Sequence, residues 1–172
     1  MADADSRNPE ANRRTPTVSL KGRALRLLSL REYSRVELGR KLATHATPGD
    51  DVEALLDGLV TQGWLSDERA ADSMVRQKSP QWGNARLKQA LQAKGLPASV
   101  VAQALAQVPQ EAGSEEVRAA RVWQRKFGTP ATDAATKAKH FRFLLARGFG
   151  AHAVGAVLKQ AHLIASGEWP PS

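Results

Sequence analysis

The sequence predicts an all-α fold of three tandem three-helix repeats forming an elongated, curved helical solenoid. Three observations carry this. Alanine and leucine are abundant in a chain that is 42% hydrophobic but only 5% aromatic, a balance that suits helix interiors. Apolar residues recur at helical spacing between single glycines and Ser, Thr or Asp starts. The triplet Leu42, Val52 and Leu56 also returns as Leu91, Val101 and Leu105, then as Leu144, Val154 and Leu158, shifts of 49 and 53 residues.

The elements follow in order. Residues 1–17 are polar, with two prolines and no periodicity, and are expected to form a disordered tail. The first repeat, 18–66, places helices at about 19–31, 34–45 and 48–62. Ser34 and Glu37 read as a capping box, and Thr47 as an N-cap with Pro48 at the first helical position. Gly63 stops the third helix, Trp64-Leu65 is expected as a buried anchor, and Ser66 with Asp67 and Glu68 restarts the chain. The second repeat, 67–110, has helices at about 67–79, 84–94 and 97–108. The third, 111–163, has them at about 114–127, 132–147 and 151–162. Gly95-Leu96 and Gly148-Phe149 fall at matching positions. Residues 164–172, with Pro170 and Pro171, are expected to be a flexible tail.

Composition also bounds the chemistry. There is no cysteine, so disulfides, thiolate metal sites and a cysteine nucleophile are excluded. No apolar run approaches the roughly 18–20 residues of a membrane span, and the start has no signal-peptide core. The expectation is a soluble, cytoplasmic protein. The four histidines, His45, His140, His152 and His162, lack metal-site spacing and read as surface or packing residues. Glycines fall singly at helix ends, so no phosphate-binding loop is predicted. An enzyme is the weaker class, and neither cofactor nor metal nor small-molecule substrate is expected.

Charge is more informative. The formal net charge is +8, and it is uneven. Residues 18–66 have seven basic against six acidic side chains, 67–110 six against three, and 111–172 nine against five. Such a bias speaks to polyanionic partners. At 100° per residue, Arg118, Arg121 and Arg125 share one side of "EEVRAARVWQRKF", next to Lys126, with Val117, Ala120, Trp123 and Phe127 opposite. The predicted stripe is therefore exposed. Lys139 and Arg142 lie opposite Phe141 and Leu145 on the next helix. Phe143 points away from its own helix's core side and is expected to pack against the preceding repeat. In "KSPQWGNARLKQALQAKG", Lys78, Arg86, Lys88 and Lys94 surround Trp82 and Gly83, which open the middle helix. A solvated face or a polyanion-binding surface would both give these patterns.

Four stretches, "ALRLLSLREYSRVELGRKL" (24–42), "GWLSDERAA" (63–71), "GNARLKQALQAKG" (83–95) and "FLLARGF" (143–149), occur in order and together resemble the RecX family over about residues 20–160. One departure is Ala70, where the family usually carries an aromatic. The resemblance implies a nine-helix, three-repeat regulator, not an enzyme. It would bind RecA and its nucleoprotein filament and restrain recombinase and co-protease activities. Contact with single- or double-stranded DNA is also implied. Two classes stay open: a protein-binding regulator lying in the filament groove, and a DNA-binding module that competes for DNA.

Overall fold

The computed structural model describes residues 18–169; both expected tail ends, 1–17 and 170–172, lie outside them. Among the described residues every regular element is an α-helix. The first set is α1 (Leu20–Leu30), α2 (Arg35–Ala43) and α3 (Val52–Thr61). The second is α4 (Asp67–Lys78), α5 (Asn84–Ala93) and α6 (Ala98–Ala112). The third is α7 (Glu115–Lys126), α8 (Ala134–Leu145) and α9 (Ala151–Lys159), followed by a short α10 (Ala161–Ser166).

Each set folds around its own apolar cluster. Leu38, Leu42, Leu56 and Leu59 centre the first, Leu87, Leu91, Val101 and Ala104 the second, and Trp123, Leu144, Phe149 and Val154 the third. The repeated triplet thus marks core positions: Leu42, Leu91 and Leu144 are all fully buried. A set of about 50 residues buries a small core, so the polar joints between sets matter as much as the clusters.

The two joints share a plan. At the first, Asp67, opening α4, accepts the Arg35 N–H at the start of α2 (2.7 Å), and the Ser34 hydroxyl donates to the Lys94 carbonyl (2.6 Å). At the second, Glu115, opening α7, accepts the Asn84 N–H at the start of α5 (2.7 Å). Gly83 and Ala85 donate to the carbonyls of Arg147 and Gly148 (2.9 and 3.2 Å). The first acid of one set therefore satisfies the free N–H groups of the preceding set's middle helix. Gly83 makes this approach possible, because a Cβ there would sit 2.1 Å from the Gly148 carbonyl oxygen.

Several sequence expectations change on contact with these joints. Glu37 does not close a capping box: Ser34 Oγ accepts from the Glu37 N–H (3.1 Å), but the Glu37 carboxylate binds Arg31 (2.5 Å) and Lys94 (2.8 Å) instead. Thr47 is not an N-cap, since its N–H and hydroxyl both donate to Asp50 Oδ2; α3 starts at Val52, capped by Asp51. Leu65 is buried, but Trp64 is 56% exposed. Both of their N–H groups donate to the Leu59 carbonyl (2.9 and 3.2 Å) as Gly63 turns the chain at φ +73°, and in that turn only Leu65 reaches the core. At the far end, the chain breaks at Gln160 rather than ending near 162. α10 then brings Ala161 and Ile164 onto the third core, the Gln124 amide donates to the Ile164 carbonyl (3.1 Å), and Trp169 packs alongside.

The first joint carries a pH dependence. Burial acts to raise the Glu37 pKa, but hydrogen bonds from Arg31 and Lys94, together with their charges, outweigh it and lower it from 4.5 to about 2. A depressed carboxylate pKa contributes stability that is fully present above the unfolded value and is lost as pH falls through the folded one. Urea unfolding between pH 4.5 and 2 should therefore show a steeper loss for the native chain than for Glu37→Gln, which has no proton to take up. Parallel slopes would remove Glu37 from the account.

Candidate functional site

The predicted basic residues separate once their surroundings are known. Arg118 is not part of an exposed stripe: it is 1% exposed. Its Nη1 donates to the carbonyls of Ser79 (3.1 Å) and Trp82 (2.7 Å), and its Nη2 to Asn84 Oδ1 (2.5 Å). The residue reaches from α7 across the second joint and holds the α4–α5 turn. Burial pushes its pKa down, while Glu115 and Glu116 pull it back; an arginine so placed stays charged. Helical angle alone could not show this, because the partner surface that buries Arg118 belongs to another repeat. Lys94 is likewise committed, half-buried against Glu37 at the first joint.

Arg121, Arg125 and Lys126 are exposed as predicted. Arg121 donates to the Ala112 carbonyl (3.3 Å), and Arg125 to the carbonyls of Pro80 (3.2 Å) and Arg121 (3.4 Å). None of the three makes an ion pair among the described residues. A carbonyl partner fixes a guanidinium without cancelling its charge, so the surface stays net positive. The Pro80–Gln81 turn separates two open hollows. One, of about 320 Å³, is lined by Gln81, Val122, Arg125, Lys126, Phe143 and Arg147. The other, of about 410 Å³, holds Arg76 and Arg121 with Glu111 as its acid.

Arg76 and Arg147 were missed by the sequence reading. Arg147 could have been found, since it sits inside "FLLARGF" immediately before Gly148, whose φ is +81°. Its guanidinium lies 3.7 Å from the Phe143 ring centroid, a cation–π contact. Phe143 itself is half-buried and meets Phe127 edge-to-face at 5.0 Å. It packs first on its own repeat and faces the preceding one only across the hollow with Gln81.

Lys78 and Arg86 also belong to the second joint. Both sit over the half-buried Trp82 ring, Arg86 at 4.4 Å and Lys78 at 5.5 Å. Lys88 is exposed on α5, and Lys139 and Arg142 on α8. Arg142 lines a separate hollow with Phe141 and Leu158, away from the cluster at the Pro80–Gln81 turn. Leu145, expected on the buried side of α8, is 39% exposed; Leu144 takes the core position instead.

His140 is buried, its Nδ1 accepting from Trp123 Nε1 (3.2 Å) and its ring stacked on Phe127 at 3.7 Å. It is a packing residue. Among the described residues no group of His, Asp and Glu is placed to hold a metal ion, and no helix is long and apolar enough to cross a membrane.

Comparison with known proteins gives one consistent result. Family models for the first, second and third three-helix domains of RecX match residues 21–59, 66–105 and 114–158. The chain is 45% identical over 154 residues to the regulatory protein RecX of Ralstonia nicotianae, covering 89% of this chain and 95% of that one. It is 44% identical over 142 residues to the regulatory protein RecX of Herminiimonas arsenicoxydans, covering 83% and 92%. A crystal structure of RecX from Lactobacillus salivarius superposes with a TM-score of 0.70 at 19% identity, over 84% of this chain and 95% of that one; at that identity it speaks for the fold. Three matched domains in order, and relatives this similar over nearly their whole length, establish that the chain belongs to the RecX family.

Proposed function

We propose that this chain binds RecA and its nucleoprotein filament and acts mainly as an inhibitor of recombinase and co-protease activity, without catalysis of its own. In this reading it lies in the filament groove, where polyanionic DNA and protein are both within reach. The observation that carries the proposal is the cluster of Arg121, Arg125, Lys126 and Arg147 around the Pro80–Gln81 turn. Among the described residues its arginines reach backbone carbonyls rather than carboxylates, leaving a net positive surface that complements a phosphate backbone. The relatives' name supplies the regulatory role.

A second reading, competition for DNA alone, draws on Trp82 with Arg86 and Lys78 over its ring, a combination that also suits single strands. Strand exchange by RecA on pre-coated DNA tests the first reading. Inhibition is expected at well below one chain per RecA subunit, with no nucleotide hydrolysis by the chain itself. RecA activity unchanged at equimolar ratio, or hydrolysis by the purified chain, would sink it.

A further inference from the structure

Opposite in chemistry to the basic cluster is a ledge at the first joint. Glu53, Asp57 and Val60 follow one another at i, i+4 and i+7 along α3, placing them on one side of the helix, and Trp64 stands just beyond its end. Val60 is 47% and Trp64 56% exposed. The side chains of Glu53 and Asp57 are 75% and 71% exposed even though both pair with Arg35 (2.6 and 2.7 Å). Beside them, Val60 and Glu68 line a hollow of about 420 Å³ with Arg35, Asp67 and Arg69.

The ledge is held rigid. Trp64 N–H is tied to the Leu59 carbonyl, Leu65 is anchored in the core, and Arg69 clamps the loop from outside. Arg69 Nη2 donates to the carbonyls of Gly63 (2.9 Å) and Trp64 (3.1 Å) while its Nε binds Glu32 (3.0 Å). Tryptophan is the side chain most suited to anchor an interface, and a fixed loop loses little entropy when it is covered.

Charge identifies the occupant. Along the ledge and its hollow stand Glu53, Asp57, Asp67, Glu68 and, paired with Arg69, Glu32, against two arginines, Arg35 and Arg69, on a chain whose overall charge is +8. Nucleic acid and anionic lipid are repelled by such a surface. We propose that the Val60–Trp64 ledge docks a cationic segment of a protein partner, one apolar side chain of which covers the Trp64 ring while its basic residues meet Glu53, Asp57 and Glu68. The chain then carries two surfaces of opposite preference, a cationic protein at the first joint and a polyanion at the second.

The four tryptophan indole N–H signals of the full ¹⁵N-labelled chain give a direct test, with the Trp64 signal assigned by its loss in Trp64→Phe. A synthetic amphipathic peptide of lysine and leucine should shift the Trp64 signal to saturation. A glutamate–leucine peptide and a single-stranded oligonucleotide should leave it in place. Trp64→Ala should weaken the lysine–leucine peptide about tenfold or more, and Glu53→Gln with Asp57→Asn should weaken it severalfold while preserving the shape of the ledge. Unchanged peptide affinity in both variants would overturn the proposal. So would a Trp64 shift produced equally by the oligonucleotide, or by raising the concentration of the chain alone, which would assign the ledge to DNA or to a second copy.

Discussion

Arg118→Ala should destabilise the chain by about 3–5 kcal/mol, the cost expected when a buried charge that satisfies several groups is removed. Three acceptors, the carbonyls of Ser79 and Trp82 and the amide oxygen of Asn84, lose their donor at once, at a side chain that is 1% exposed. Arg118→Lys should lie between, because an ammonium keeps the charge but not the fork that reaches all three. Arg121→Ala, one turn along and exposed, should stay within about 0.5 kcal/mol. Denaturant unfolding of the three variants measures the ranking, and hydrogen exchange at Asn84 to Leu87 locates the damage. If Arg118→Ala and Arg121→Ala unfold alike, Arg118 does not hold the second joint.

Much of this fold was legible from the chain because its core obeys local rules. Helical spacing and the shifts of 49 and 53 residues located Leu42, Leu91 and Leu144, and each is buried where the pattern placed it. What local rules could not reach is the contact between sets. "SDE" at Ser66–Glu68 reads as an N-cap with acids at the dipole's positive end, and Ser66 does cap α4, as Ser114 of "SEE" caps α7. The middle residue of each also reaches into the preceding set, Asp67 to Arg35 and Glu115 to Asn84. Arg35 and Asn84 are 49 residues apart, as in the apolar pattern, and Asp67 and Glu115 are 48 apart, so the signal was present as an approximate periodicity in polar residues.

The same comparison explains Arg118. It occupies the place that Ala70 holds one set earlier, four residues after the capping serine in both, and both are buried. A helical wheel assigns that place to the solvent side because it knows nothing of the neighbouring set. Trp64 erred in the other direction: hydrophobicity argued for burial, but the turn at Gly63 gave the core to Leu65. The candidate site was half legible. Arg121, Arg125 and Lys126 could be read from one helix, whereas Arg76 and Arg147 come from other elements and join them only through the fold.

Reversing Arg121 and Arg125 together tests most directly the proposal that this chain engages RecA filaments through its basic surface. Both are exposed, glutamate is a good helix former, and neither breaks an ion pair among the described residues, so Arg121→Glu with Arg125→Glu should melt close to the native chain. Lys21→Glu with Arg26→Glu is the matching control on α1; Arg31 and Arg35 would not serve, because each already holds carboxylates. In anisotropy titrations at fixed salt, the Arg121/Arg125 variant should bind RecA-coated DNA weaker by about 2 kcal/mol, roughly thirtyfold, as repulsion replaces attraction at a complementary surface, while the Lys21/Arg26 variant should bind nearly as the native chain does. Loss confined to naked DNA would instead favour competition for DNA, and two variants that both bind filaments like the native chain would contradict the assignment of this surface altogether.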